Sequence, residues 1–214
     1  MSIRIGIYDF FAYTIPGVFY LMIAGFTVAA FGLAPLDWGA VNSLAFFAVI
    51  VLVGAGYVAG MILDSIAYRW MQLYLGRNTD QRRDAFDAFA KHNPQLKLNF
   101  SASDAELLLH ILKEEAAEAT STIEMYNATG IMLRNISLGL AVLSLIFIAY
   151  YFIITPYLWN LLLAATCAIL SYLSIERCRK RREWFYNSVF ESIAAHSLRG
   201  TQWVTLADGN DTGN

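Results

Sequence analysis

Residues 135–175 run for 41 positions without a charged side chain or a histidine, and no other feature of the sequence constrains the fold as tightly. About 20 apolar residues carry a helix across the roughly 30 Å hydrocarbon core of a bilayer. The run is therefore long enough for two crossings, and Thr155-Pro156 near its middle supplies the turn. Two more charge-free runs, residues 10–36 and 38–63, supply one crossing each, with Pro35 and Gly39 marking the turn between them.

The sequence thus predicts an all-α membrane protein: four transmembrane helices as two hairpins, with a cytosolic helical insert between helices 2 and 3. In residues, this is an amphipathic lead-in over 1–14, a first hairpin over 15–64, an insert over 65–133, a second hairpin over 134–175, and a basic and aromatic helix with a mobile tail over 176–214. Composition agrees, since 57% of the 214 residues are hydrophobic and 15% charged. Nothing at the N-terminus has the pattern of a cleaved secretory signal, so the first apolar run is expected in the mature chain. Cys167 lies in an apolar run and Cys178 in a basic segment, so both are expected as thiols and not as a disulfide.

Charge distribution orients the hairpins. Of the fifteen Lys and Arg, one precedes the first crossing, eight lie in the insert including Arg134, six follow the fourth crossing, and neither outer turn carries any. Basic residues are retained on the cytoplasmic side, which predicts an inner-membrane, multi-pass protein with both termini and the insert in the cytosol.

Within the insert, residues 80–91 read as a short helix with Phe86 and Phe89 on its apolar side, ended by His92-Asn93-Pro94. Ser103 and Glu106 have capping-box spacing, and Leu108, Leu112, Ala116, Ala119, Ile123 and Tyr126 follow at intervals of three and four. No proline falls between Asp104 and Ile154, so this helix is expected to run into crossing three, with Gly130 as the bend.

Small residues recur at helical spacing in three crossings: Gly25 and Ala29 in the first, Gly56 and Gly60 in the second, Ala164 and Ala168 in the fourth. Such ridges allow close helix contact, either within the chain or at an oligomer seam. They predict that crossings one, two and four pack together, leaving the bulky third more exposed to lipid or another subunit. Asp9 and Asp64 are the acids next to the hydrocarbon, with Arg134 and Arg177 as interfacial ion-pair partners; an ion or proton site is the alternative.

Arg179, Lys180, Arg181 and Arg182 with Trp184 fit the headgroups of anionic lipids, and topology alone would also place basic residues there. Glu114, Glu115 and Glu118 lie on an acidic helix that carries net charge -5 from Asp104 to Glu124 and would attract a basic protein partner. His110 shares their face, but no Glu-x-x-His pair occurs, so a solvated acidic face is expected and no metal or cofactor. No nucleophile with a base, paired acids or phosphate-cradling loop has supporting context, so no catalytic residue and no enzyme activity is expected.

The opening Tyr8-Asp9-Phe10-Phe11-Ala12-Tyr13-Thr14-Ile15-Pro16-Gly17, with Gly56-Tyr57-Val58-Ala59-Gly60, resembles the start of small four-crossing bacterial membrane proteins of anti-phage defence loci. These include membrane subunits of the Kiwa type and membrane accessories of CRISPR systems. The resemblance implies an oligomeric effector or scaffold that answers a nucleic-acid-sensing protein through its cytosolic part. A pore or other perturbation of the bilayer is the expected output, and no direct binding of nucleic acid is expected. Membrane lipids and further copies of the chain are the other expected partners. The competing expectation is a channel or transport subunit with its own ion or solute path.

Overall fold

The computed structural model describes residues 7–33, 45–76, 80–197 and 204–206. In chain order the elements are α1 (Ile7–Ala30), α2 (Ala45–Leu75), α3 (Gln81–His92), β1 (Leu96–Leu98), a 3-10 turn (Ala102–Asp104), α4 (Ala105–Glu115), α5 (Ala117–Ile153), α6 (Leu158–Ser197) and β2 (Val204–Leu206). The long helices α1, α2, α5 and α6 each contain a stretch long and apolar enough to cross a membrane. The turn between the first two crossings and the tail beyond residue 206 lie outside the described residues.

Contacts divide the chain into two compact units. Residues 1–77 and 128–179 form the first, residues 78–127 and 180–214 the second, so α5 and α6 contribute to both.

In the first unit, α1 and α2 meet backbone to backbone. A Cβ built on Gly17 would overlap the Gly56 carbonyl, and one on Gly60 would overlap the Tyr13 carbonyl. The paired positions fall along one helix as they rise along the other, so the two run in opposite directions. Pro16 is buried inside α1, which begins nine residues before it, at Ile7. The expected boundary between a lead-in ending at residue 14 and a first crossing starting at 15 does not occur, because α1 is continuous from Ile7. Proline is tolerated within bundle helices because neighbouring groups re-satisfy the backbone it disturbs. The helix of crossing two likewise runs on, past Asp64 to Leu75.

The expected exposure of crossing three is overturned, because α5 is held by the other three helices. Gly139 admits the Phe19 ring, Phe26 packs on Phe147 at 5.6 Å between centroids, and Ser144 donates 2.8 Å to the Ala164 carbonyl. Its buried face is made of small and polar residues, while Leu145 and Phe152 point outward. Apolar bulk does not select the buried face when the surrounding solvent is itself hydrocarbon.

The second unit has a conventional apolar core. Phe190, Val189 and Ile193 of α6 are fully buried against Leu108 and Leu112 of α4, Ile123 of α5 and Phe89 of α3. Asp80 caps α3 by accepting from the Arg82 N–H, and Asn93 closes its other end. The helix expected to run straight from Asp104 breaks at Ala116 (φ -143°, ψ 63°), and α5 starts afresh at Ala117 and continues unbroken through Gly130. The fold is also not purely helical: β1 pairs antiparallel with β2, Leu96 opposite Leu206 and Leu98 opposite Val204.

Candidate functional site

The charged boundary of crossing three is where polar chemistry concentrates in the first unit. Arg134 Nη2 donates to Asp64 Oδ1 at 2.6 Å, and Asn135 Nδ2 donates to the same oxygen at 2.9 Å. The Tyr20 hydroxyl donates to the Asn135 carbonyl at 2.6 Å, and the Arg134 guanidinium lies over the Tyr68 ring at 5.3 Å. Asp64 of α2 thus takes two donors from α5, and α1 joins the cluster through Tyr20 on the Asn135 carbonyl. Asp64 is there because the Gly56 and Gly60 ridge brings α2 against α1, one turn before it.

One turn along α5, Ser137 and Ser171 donate to each other's carbonyls at 2.8 Å, and Trp70 Nε1 donates to the Ser137 hydroxyl at 3.3 Å. Among the described residues these hydroxyls meet no imidazole or carboxylate. The arrangement is a clasp between α5 and α6, without the base that an activated serine requires. Arg134 Nε, Asn135 Oδ1 and Thr14 Oγ1 are buried with no hydrogen-bond partner among the described residues.

The residues singled out in the sequence distribute as follows. Gly56 and Gly60 form the α1–α2 contact, whereas a Cβ on Gly25 meets nothing within 4 Å and Ala29 is exposed. Ala164 is buried at the α5 contact and Ala168 faces outward. Asp64 pairs with Arg134. Arg177 is exposed on α6, and the side chain of Asp9 lies outside the described residues.

Arg179 and Lys180 are exposed, but Arg181 is turned onto aromatic neighbours in the second unit, 5.6 Å from the Tyr126 ring and 4.9 Å from Trp184. Arg182 donates to the Tyr186 hydroxyl at 3.3 Å. Packing within the protein thus engages part of the basic cluster expected to face headgroups. Glu114 is exposed, and the side chains of Glu115 and Glu118 lie outside the described residues. Among the described residues no His, Cys, Asp and Glu side chains gather as a metal site. Near α4, the Asp104 carboxylate accepts from both the N–H and the hydroxyl of Ser101 at 2.8 Å, which holds its pKa below the ordinary 3.8. The N-terminal cap is therefore Ser101 with Asp104, two residues before the expected Ser103 with Glu106.

Tyr20, Trp70, Asn135, Ser137 and Ser171 were not anticipated. A signal existed: Gly130, Arg134, Ser137, Ala141 and Ser144 recur at spacings of four and three along α5, a small and polar stripe in an otherwise bulky helix. Comparison of the chain with protein-family models, with curated proteins and with solved structures gave no match.

Proposed function

We propose that the chain is a non-enzymatic, oligomeric protein of the bacterial inner membrane, an effector or scaffold of an anti-phage defence system. In this reading its four apolar helices cross the bilayer as two hairpins, and the second unit is cytosolic and receives a protein partner. The observation that carries it is the division of α5 and α6: each gives residues to the soluble-type core around Phe190 and to the apolar four-helix unit. A partner that reorders the second unit therefore acts on the same two helices that hold the polar clasp.

Insertion of two glycines after Asn127 tests this. Cells carrying the variant are expected to insert the protein normally and to lose protection against phage; undiminished protection overturns the proposal. Reporter fusions at Gly39 and Pro156 are expected to read the outer side, and a cytoplasmic readout at either overturns the topology.

The unpartnered buried Asn135 Oδ1 and Thr14 Oγ1 favour a second reading, a channel or transport subunit whose own path runs through the bundle. Purified protein in liposomes separates the two. Selective flux without any partner selects the channel, and flux or membrane damage only with a partner selects the effector.

A further inference from the structure

The outer surface of the four-helix unit carries a crevice of about 370 Å³ between α2, α5 and α6, whose walls include Trp70, Tyr74, Leu138, Leu145, Ala168 and Tyr172. On α5 it extends over residues 138–145, about 10 Å at 1.5 Å per residue. It begins one turn from Arg134 and runs into the charge-free part of the helix. Its aromatic residues are grouped: Trp70 lies 6.2 Å from Tyr74, and Tyr74 5.7 Å from Tyr172.

The chemistry of the walls selects the occupant. Each polar group deep in the crevice is already used: Ser144 donates to the Ala164 carbonyl, Ser171 to the Ser137 carbonyl, and Trp70 N–H to the Ser137 hydroxyl. A sugar, nucleotide or peptide entering there would lose hydrogen bonds to water and recover none, whereas a hydrocarbon chain would lose nothing. At the rim the position reverses. The Tyr74 and Tyr172 rings are exposed, and tyrosine and tryptophan in a membrane protein belong at headgroup level. Arg179 follows Tyr172 by seven residues on α6, two helical turns, and so stands exposed on the same face beyond the rim.

The geometry points to a site for one anionic phospholipid, with an acyl chain in the crevice, the ester region against Tyr74 and Tyr172, and the phosphate toward Arg179. This assignment rests on the membrane reading and on no part of the defence reading. It differs from general attraction to the basic cluster, because it uses a particular cavity and one arginine of that cluster.

The test uses the full chain in phosphatidylcholine vesicles doped with phosphatidylglycerol that carries a photoactivatable diazirine on one acyl chain, with a matched arm in which phosphatidylcholine carries the label. Alkaline extraction and flotation first establish that the protein is inserted, so failure of the membrane reading is seen separately as protein released from the vesicles. With inserted protein, labelling by phosphatidylglycerol is expected to concentrate in residues 138–145 and around Tyr172, above the level given by phosphatidylcholine. Ala168→Trp, or independently Leu145→Trp, is expected to abolish that excess at an unchanged melting temperature. Arg179→Gln is expected to lower it about fivefold. Labelling spread evenly over the exposed apolar faces in both arms overturns the site, as does a signal that survives both filling variants. Equal labelling by the two lipids overturns the assignment of an anionic headgroup.

Discussion

The two units are held together by opposite means. In the second, large apolar side chains leave the solvent: Phe190 is ringed by Phe86, Phe89 and Phe100, with centroids 5.5 to 6.2 Å away, and is fully buried. In the first, most of the large apolar side chains are on the outside, and glycines, serines and an ion pair join the helices beside a few ring contacts such as Phe26 with Phe147. Burial of apolar area drives association in water. It offers little between helices already surrounded by hydrocarbon, where close backbone approach and hydrogen bonds decide the packing. The same substitution should therefore have different consequences in the two units.

The largest effect is expected at the aromatic core. Phe190→Ala removes a ring packed on three others and should destabilise the second unit by about 3–5 kcal/mol. Hydrogen exchange on the full chain checks this. Amides of α3 and α4 should lose protection while the α1–α2 contact keeps it; equal loss in both would mean that the two units share one kind of packing.

Glycine supplies the reverse experiment. Gly60→Val places a side chain where the Tyr13 carbonyl already sits and should cost at least about 3 kcal/mol, seen as protease sensitivity of α1 in detergent. Gly25→Ala fills open space and should be neutral or stabilise the helix by about 0.5–1 kcal/mol. A comparable loss at both positions would show that chain flexibility, and not close approach, is what the glycines provide.

Ion pairs sharpen the comparison further. Removing either partner of the Asp64–Arg134 pair leaves a mostly buried polar group and should cost about 1–3 kcal/mol. In a double-mutant cycle, Asp64→Asn with Arg134→Gln should return a coupling of about 1 kcal/mol. The Lys113–Glu124 pair of the second unit is equally short, at 2.5 Å, but 45% and 35% exposed. Lys113→Ala should cost less than about 1 kcal/mol, and the cost should shrink with added salt, which the Asp64–Arg134 pair should resist.

The difference between the units also explains what the sequence disclosed. Charge-free runs announce apolar helices because each ionised group in hydrocarbon is costly, so α1, α2, α5 and α6 were legible directly. Leu108, Leu112 and Ile123 were legible by period, since a soluble core leaves a stripe. The buried face of α5 left no hydrophobic stripe, and its trace was instead the spacing of small and polar residues from Gly130 to Ser144. The break at Ala116 was not legible, since neither proline nor glycine stands there and the chain simply folds α4 back into its own core. The β1–β2 pair joins three residues to three others more than a hundred positions away, a long-range match that local pattern does not contain. Asp64 and Arg134 were nameable as partners from position alone, but Asn135 and Tyr20, which complete the cluster, look like neutral residues in an apolar run.

The smallest expected effect concerns the Asp104 carboxylate in the second unit. Asp104 holds the start of α4 through two hydrogen bonds from Ser101, and these keep its pKa below 3.8 in the folded chain. A group depressed on folding stabilises the fold above its unfolded pKa, and loses that contribution as pH falls through the lower folded value. Asp104→Asn should therefore raise hydrogen exchange at Leu107 and Leu108 at pH 6, where the wild-type carboxylate is ionised. The difference should close as pH falls from the ordinary carboxylate value through the lower folded one, where the wild type becomes protonated too. A gap that stays constant across that range would mean that the shape of the side chain, and not its charge, caps the helix. Because Asp104 lies at the surface and is only partly buried, salt and solvent screen the interaction, which is why it comes last in size among the contacts that separate the second unit from the apolar one.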